Sequence, residues 1–377
     1  MRILRTLGLL LSLGWTQTIL VSGTGDGSFE GGTGCTGNSY TVNGWTIVNG
    51  TQTNRWAVNN IPGGAHHGSR AIYITDNCGP NPPSHNYNVN SASVVHFYRD
   101  VTLPAGQPYM TISAYVRVNG ENGWDYLDIF VAPTSVTPTA GTQVAAAYRI
   151  ARYSMISSSW TQITARFCGT AGQTYRVIFS WRNDNSLGTQ PPAAVDRIHI
   201  TASSTPAWMV NVPALPYTHG ADNTCGKGNN FTSSNVSPTC GSTNYYGGED
   251  MVWVFTPTSS GSITITLNAS TTWTGLKLYR GGTLSPCGGL TGATCVGEAV
   301  SGSSTASNLT LTACVDAGQT YYLQVDYWPS PTCGAITNLT ISAPVPPSSC
   351  TGLGTGVTNV ATLPYNSGPG TTCGAVD

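Results

Sequence analysis

Short runs of alternating apolar and polar residues recur along the chain, and a period of two is typical of half-buried β-strands. In the first half these runs are Ile72–Ile74, Met110–Val118, Tyr126–Val131, Ile163–Phe167, Tyr175–Trp181 and Arg197–Ile200. In the second half they are Met251–Phe255, Ser262–Leu267, Gly275–Tyr279, Leu309–Thr312, Gln319–Asp326 and Ile336–Ser342. Gly, Pro and Asn clusters separate the runs. Many short strands bounded by turn residues predict an all-β protein of sandwich or jelly-roll type.

The composition agrees with this fold class. The 377 residues include 45 Gly and 23 Pro, which disfavour helix, and 10 Trp, 18 Tyr and 7 Phe, which supply the apolar area that disordered chains lack. Charged residues make up 8% of the chain, with only 15 Lys and Arg. Phosphate binding needs clustered cations, so we expect no nucleic acid partner.

The N-terminus has the pattern of a secretory signal peptide. Arg2 and Arg5 precede an apolar stretch from Leu7 to Trp15, which is too short to span a bilayer. We predict residues 1–16 as the signal, with Gln17 first in a secreted protein that lacks a membrane span. The alternative is that residues 7–21 form a buried part of the first domain.

Two domains and part of a third follow the signal. The linker Ala202–Pro206 separates a predicted domain at 17–203 from a second at 207–344. Leu215-Pro216-Tyr217 and Thr224-Cys225-Gly226 recur as Leu363-Pro364-Tyr365 and Thr372-Cys373-Gly374, with the same Tyr-to-Cys spacing. Residues 345–377 are therefore predicted to be a linker and the truncated start of a second copy, within a fragment of a longer chain.

Eleven cysteines in a secreted chain indicate disulfides, because an oxidising compartment preserves them. Proximity along the chain suggests the pairs Cys35–Cys78, Cys225–Cys240, Cys287–Cys295 and Cys314–Cys333. It leaves Cys168 as the odd thiol, and Cys350 and Cys373 without partners in this chain. Since many connectivities fit so many cysteines, these pairs are hypotheses.

The first domain resembles MAM-like jelly rolls, including the cleaved-adhesin and choice-of-anchor J modules of secreted Bacteroidetes proteins. The phrases that carry the resemblance occur in order: Phe29-Glu30-Gly31-Gly32, Gly44-Trp45-Thr46, Arg55-Trp56-Ala57, Gly123–Ile129 and Pro191–Ile198. One departure is Val48–Thr51, where those families often carry an Asp-rich calcium loop.

This resemblance implies a structural calcium site. Glu30 and Asp196 match the positions at which such jelly rolls hold calcium together with backbone carbonyls, and hard oxygen ligands suit this ion. Asp26 and a carbonyl of Ser69 are further candidates. The alternative is that Glu30 and Asp196 only cap turns.

The second domain resembles, more loosely, the pre-peptidase C-terminal β-sandwich. The matching segments are Gly248–Phe255, Leu276–Tyr279 and Ala317–Val325. Such modules are non-catalytic appendages of secreted enzymes and adhesins, and chains of this style often end in a type IX sorting domain.

Catalytic motifs are missing from the sequence. It contains no H-E-x-x-H, G-x-S-x-G, P-loop or zinc-type Cys spacing. His66-His67 is the only His pair, and adjacent side chains seldom converge on one metal, which favours a solvated loop. Asp125 and Asp128 are three positions apart on a predicted strand, so we expect them to point to opposite faces and not to form a glycosidase pair unless a bulge intervenes. We therefore expect no enzyme activity from these domains.

Ligand binding is expected from exposed aromatic residues, since aromatic faces suit the C–H faces of sugars. Trp124, in a turn-like Gly/Asn-rich segment, and Tyr126 are the candidates, whereas the other aromatics are expected mainly in the core. The sequence thus predicts a non-catalytic extracellular binding or adhesion region for a glycan or cell-surface protein. One alternative is a substrate-targeting accessory of a secreted peptidase or glycosidase whose catalytic domain lies elsewhere, and another is a spacer without a ligand.

Overall fold

A computed structural model describes residues 17–79, 82–269, 271–302, 308–328 and 333–345. It is all-β, which confirms the predicted fold class. The chain divides into two compact units, the first ending at Pro206 and the second beginning at Ala207. Within the described ranges the only helices are two 3-10 turns, Asp26–Ser28 and Ala146–Tyr148, and no helix there is long and apolar enough to cross a bilayer.

The described residues of the first unit form twelve antiparallel strands in two six-stranded sheets. The strands are β1 (Gln17–Val21), β2 (Ser39–Val42), β3 (Trp45–Val48), β4 (Arg55–Asn60), β5 (Arg70–Thr75), β6 (Ser93–Thr102), β7 (Tyr109–Val118), β8 (Tyr126–Pro133), β9 (Arg149–Tyr153), β10 (Ser157–Cys168), β11 (Thr174–Asn183) and β12 (Ala194–Ser203). The front sheet has the order β10-β7-β12-β5-β4, with β1 also paired to β12. The back sheet has the order β2-β3-β6-β11-β8-β9.

Alternation along each strand separates the core from the outer faces. In β7, Met110, Ile112, Ala114 and Val116 are buried, and the residues between them lie on the outer face. Aromatic rings fill the space between the sheets, and Phe97 stacks on Phe179 with centroids 4.8 Å apart. Trp45, Trp56 and Trp181 are fully buried in this core, as expected for most of the aromatics.

Thirteen strands lie in the described part of the second unit. They are β13 (Met209–Asn211), β14 (Tyr217–His219), β15 (Asp222–Asn223), β16 (Val236–Ser237), β17 (Met251–Phe255), β18 (Gly261–Ala269), β19 (Thr274–Arg280), β20 (Thr283–Leu284), β21 (Leu290–Thr291), β22 (Thr294–Val300), β23 (Asn308–Val315), β24 (Tyr321–Tyr327) and β25 (Ala335–Ile341). One sheet has the order β13-β17-β24-β19-β22, and the other has β14-β25-β18-β23 with β15 beside β25. A small third sheet, β16-β21-β20, completes the unit.

The disulfides follow strand pairing rather than proximity in the sequence. Cys35–Cys78 is present as expected, but Cys225 bonds to Cys333 and Cys240 bonds to Cys295. β15 pairs with the start of β25, so the residues flanking these strands meet although 108 positions separate the two cysteines.

The predicted pairs Cys225–Cys240, Cys287–Cys295 and Cys314–Cys333 are therefore wrong, because each contains a cysteine that is bonded elsewhere. Cys168 is itself disulfide-bonded, so the expectation of an odd thiol there is also wrong.

Several predictions from the sequence lie outside the described residues. They are the signal peptide at 1–16, the stub cysteines Cys350 and Cys373, and the truncated second copy that includes Leu363–Tyr365.

Candidate functional site

The outer face of the front sheet carries a groove of about 390 Å³. Its floor is formed by outward side chains of β7, β10 and β12, and one wall by β1 and the turn that follows β1. The lining residues are Ile19, Ser22, Gly23, Thr24, Ser113, Ala114, Tyr115, Gln162, Arg197 and His199. The groove thus combines one aromatic ring, a cation, a histidine, an amide and hydroxyl groups on a rigid sheet.

A β-bulge in β12 directs Arg197 outward. Asp196 lies opposite Tyr115, but the next paired residue, His199, lies opposite Ser113, so β12 contains one extra residue. Arg197 accommodates it with a φ of 53°, a left-handed conformation that is uncommon for a residue with a side chain. As a result Ile198 keeps its place in the core, and Arg197 and His199 reach the outer face.

Gly23 allows the turn after β1 to lie directly over these two residues. A Cβ at this position would come within 3.1 Å of Arg197 Cγ and 3.2 Å of His199 Cβ. The Gly23 amide instead donates to His199 Nδ1 at 3.2 Å. Because Nδ1 accepts, the proton of a neutral His199 ring lies on Nε2, which leaves Nε2–H as a donor.

Arg197 has no ion pair or side-chain hydrogen bond with any described residue. Its guanidinium carbon lies 6.0 Å from the Tyr115 ring centroid, on the exposed surface. Other arginines of this unit are paired: Arg99 with Asp26 at 2.7 Å and Arg176 with Asp100 at 2.7 Å.

The loop at residues 62–69 packs against one end of the groove. His66 stacks on Tyr115 with centroids 3.4 Å apart, and Trp160 lies edge-on to His66. Arg117 covers the Trp160 ring at 4.4 Å and donates to carbonyls of the loop. Burial, and then the charge of Arg197, lowers the pKa of His66, so that its ring is neutral at pH 7. His66 therefore packs on Tyr115, within a loop that is otherwise mostly exposed, as the sequence favoured.

Glu30 and Asp196 hold the same loop by hydrogen bonds. Glu30 Oε1 accepts from the amides of Ser69 and Arg70 at 3.0 and 2.7 Å, and Asp196 Oδ2 accepts from the amide of His67 at 2.8 Å. Burial raises the pKa of Asp196 to about 6. Asp26 forms an ion pair with Arg99 at 2.7 Å.

The donor set therefore suits a cation only in part. The two carboxylates converge on one loop and have no Lys or Arg ion pair among the described residues. However, no group of three His, Cys, Asp or Glu side chains there is arranged to hold a metal, so backbone carbonyls would have to complete a calcium shell.

The two aromatic candidates from the sequence have different environments. Trp124 is 55% exposed, in the loop between β7 and β8, and its ring lies beside Arg182. Tyr126 is only 5% exposed, because Arg152 lies 3.5 Å over its ring and Gln143 donates to its hydroxyl. Little of the Tyr126 ring is thus open to a ligand, and its role in binding stays a prediction from the sequence. A segment at 134–148 lies over this part of the back sheet and was not anticipated.

Asp125 and Asp128 have separate structural contacts. Asp125 accepts a hydrogen bond from Tyr87, and Asp128 forms a two-point ion pair with Arg152 at 2.7 Å. Neither carboxylate lines the groove.

The groove residues themselves were missed by sequence reasoning. The alternation along Met110–Val118 assigns Ser113 and Tyr115 to an outer face, which was an available signal. The bulge that brings Arg197 to them leaves no trace in the pattern, because it depends on how β12 pairs with β7.

Comparison with known proteins gives structural likeness at low identity. No family model and no curated protein matches the chain. Similar solved structures include the tandem CBM22-1-CBM22-2 domain of Xyn10C from Paenibacillus barcinonensis, with 12% identity, a TM-score of 0.29, and coverage of 86% of this chain and 97% of that one. TmCBM61 in complex with β-1,4-galactotriose has 13% identity and a TM-score of 0.29 over 48% of this chain and 97% of that one. A cyclase from Fischerella sp. TAU has 11% identity and a TM-score of 0.31 over 50% of this chain and 98% of that one.

These matches include both carbohydrate-binding domains and an enzyme. Since one fold hosts many functions, the function of this chain has to be argued from its own groove.

Proposed function

We propose that the first unit is a non-catalytic glycan-binding domain of an extracellular protein. The observation that carries this proposal is the groove on the front sheet, in which Tyr115, Gln162 and His199 surround a solvent-open floor. Sites for small ligands commonly combine an aromatic surface with a few fixed polar groups.

The chemistry of the lining suits a sugar. The amide of Gln162, the hydroxyl of Ser113 and the ring N–H of His199 match vicinal hydroxyl groups, which both donate and accept hydrogen bonds. These side chains lie on β-strands and form a rigid surface. Binding of a ligand would therefore cost little free energy for ordering of the protein.

A binding role is favoured over hydrolysis by the charges of the groove. Glycoside hydrolysis requires two carboxyl groups that flank the scissile bond, and the lining residues include no Asp or Glu. The proposal fits an adhesin and equally fits a targeting module of a secreted hydrolase, because both use a binding surface of this kind.

The extracellular setting is proposed from the disulfides and the N-terminal pattern. Three bonds, Cys35–Cys78, Cys225–Cys333 and Cys240–Cys295, would persist only in an oxidising compartment. The MAM-like and pre-peptidase C-terminal resemblances are compatible with this setting, and they remain proposals.

Calcium is proposed as a structural cation beside the groove. Glu30 and Asp196 would supply the carboxylate ligands of the ion. The ion would in turn fix the loop at 67–70, which both residues contact. The raised pKa of Asp196 supports this proposal, since a buried carboxylate without a Lys or Arg partner gains most from a nearby cation.

A glycan array followed by calorimetry tests the glycan-binding function. We expect a bound glycan, and we expect Tyr115→Ala and Gln162→Ala each to weaken binding by about tenfold or more. Trp124→Ala is the matched control, because Trp124 is exposed outside the groove. Loss of binding in Trp124→Ala alone would place the site in the β7–β8 loop, and no binding to any glycan would contradict the proposal.

A further inference from the structure

We infer that the groove selects glycans that carry an anionic group, a carboxylate or a sulfate, and that Arg197 contacts this group with His199 beside it. The inference rests on the proposed glycan-binding function and adds the chemical class of the ligand.

The first argument is the charge of Arg197. It is an exposed cation that lines a groove without a carboxylate, and no described residue pairs with its guanidinium. A guanidinium presents several N–H donors in a planar fork that matches the two oxygens of a carboxylate or sulfate. Neutral sugars do not require such a group.

The second argument is the backbone of Arg197. Left-handed conformations are strained for residues with side chains, and they cluster at functional sites where the surrounding structure enforces them. Here a β-bulge enforces the conformation and turns the side chain toward Tyr115. Bulges next to functional sites often redirect a side chain in this way.

The third argument is the fit of the turn after β1. Because residue 23 is glycine, the chain passes over Arg197 and His199 without displacing either side chain. Its amide donates to His199 Nδ1, which leaves Nε2–H as a second donor on a residue that lines the groove. Two donors from neighbouring positions of β12 thus line the same groove.

Other charged groups near the groove are already engaged. Asp196 accepts from the amides of His67 and Arg197, and Glu30 accepts from Ser69 and Arg70. Arg117 donates to the carbonyls of Pro62, Gly63 and Gly64. Arg197 is therefore the one lining cation without a partner in the described part of the chain.

The test compares each acidic polysaccharide with a matched neutral polymer, using the full chain in affinity electrophoresis and calorimetry. Polygalacturonate is paired with its methyl ester, and dextran sulfate with dextran, so that the two arms distinguish carboxylate from sulfate. We expect one acidic polymer to bind about ten- to a hundredfold more tightly than its neutral partner, with affinity that falls as NaCl is raised.

Arg197→Gln should abolish this preference, whereas Arg149→Gln, which removes an exposed cation from β9 of the back sheet, should preserve it. Circular dichroism checks that both variants fold. Equal binding of acidic and neutral polymers, or an acidic preference that survives Arg197→Gln, would overturn the inference but leave the glycan-binding function intact. If these polymers do not bind and the array yields only neutral glycans, the inference also fails. A complete absence of glycan binding would contradict both the inference and the proposed glycan-binding function.

Discussion

Each of the two units has a broad sheet, but the cations on the outer faces of these sheets differ in burial and pairing. On the front sheet of the first unit, Arg197 is exposed and unpaired among the described residues. On the β13-β17-β24-β19-β22 sheet of the second unit, Lys277 is fully buried and donates to the carbonyls of Cys240 and Ser242 and to Glu298 at 3.1 Å. A buried cation needs such partners, because an unpaired buried charge is costly, whereas an unpaired exposed cation is available to a ligand.

The covering of the second sheet explains this difference. Part of the segment between β15 and β17 packs on the sheet, with Phe231 and Tyr246 in a cluster that includes Val252 and Tyr279. Asp250 fixes this segment by accepting from the amides of Asn230 and Phe231. The polar groups of this face therefore satisfy one another.

The largest difference that we expect between the two units is the pH dependence of the stability of the second unit. Burial raises the pKa of Asp250 to about 8 and that of Asp326 to about 7, whereas both would titrate near 4 in the unfolded chain. The folded form therefore keeps protons that the unfolded form releases, and stability should fall as pH rises from about 4 to about 8. Hydrogen exchange of the β24 amides in the full chain, corrected for intrinsic rates, should show less protection at pH 8 than at pH 5. Equal protection would contradict the burial argument.

Removal of the Lys277 side chain should be the most damaging of the single substitutions. Lys277→Ala removes the buried donor shared by Glu298 and the carbonyls of Cys240 and Ser242, and it leaves Glu298 with the Ser242 amide as its donor. It also removes the cation over the Tyr246 ring, so we expect a loss of about 3 kcal/mol in the free energy of unfolding. Arg197→Ala should change stability by no more than about 0.5 kcal/mol, as for other exposed sites. Urea unfolding with exchange readout of each unit measures both. Similar losses would contradict the distinction between paired and unpaired cations.

Calcium removal should affect the first unit selectively. If Glu30 and Asp196 hold the ion, a chelator should lower the melting temperature of that unit, at a cost of about 2–3 kcal/mol for calcium near a hundred times its Kd. Glu30→Gln and Asp196→Asn should each abolish the calcium response, and Asp26→Asn, whose carboxylate pairs with Arg99, should retain it. A calcium response that is the same in all three variants would contradict the proposed ligands.

The smallest expected effect is a gain in stability at the groove itself. Asn tolerates the left-handed conformation better than Arg, so Arg197→Asn should stabilise the first unit by up to about 1 kcal/mol while it removes the preference for acidic glycans. Thermal melting and the polysaccharide binding assay measure the two effects. A destabilised variant would show that Arg197 has a structural role that its contacts do not reveal.

Much of the fold followed from local patterns, and most of the site did not. Alternation in segments such as Met110–Val118 predicts strands and their buried faces, because both depend on neighbours two positions apart. The partners of Cys225 and Cys240 depend on strands that are distant in sequence. The burial of Tyr126 likewise depends on the segment at 134–148 that lies over the back sheet.

The groove depends on long-range register in the same way. Tyr115, Gln162 and Arg197 lie on three strands, and only the pairing of β10 and β12 with β7 brings them to one face. The bulge at Arg197 is a property of that pairing. Composition and spacing could indicate Trp124 as exposed, but they could not indicate the groove.

The most direct test of the account is to map where a bound oligosaccharide lies on the full chain. Hydrogen–deuterium exchange should be compared with and without the tightest ligand found in the binding assays. The account predicts added protection in the turn at 22–24 and in β7, β10 and β12, with no change in β17, β19 and β24. Protection confined to the second unit, or to the loop that carries Trp124, would contradict it.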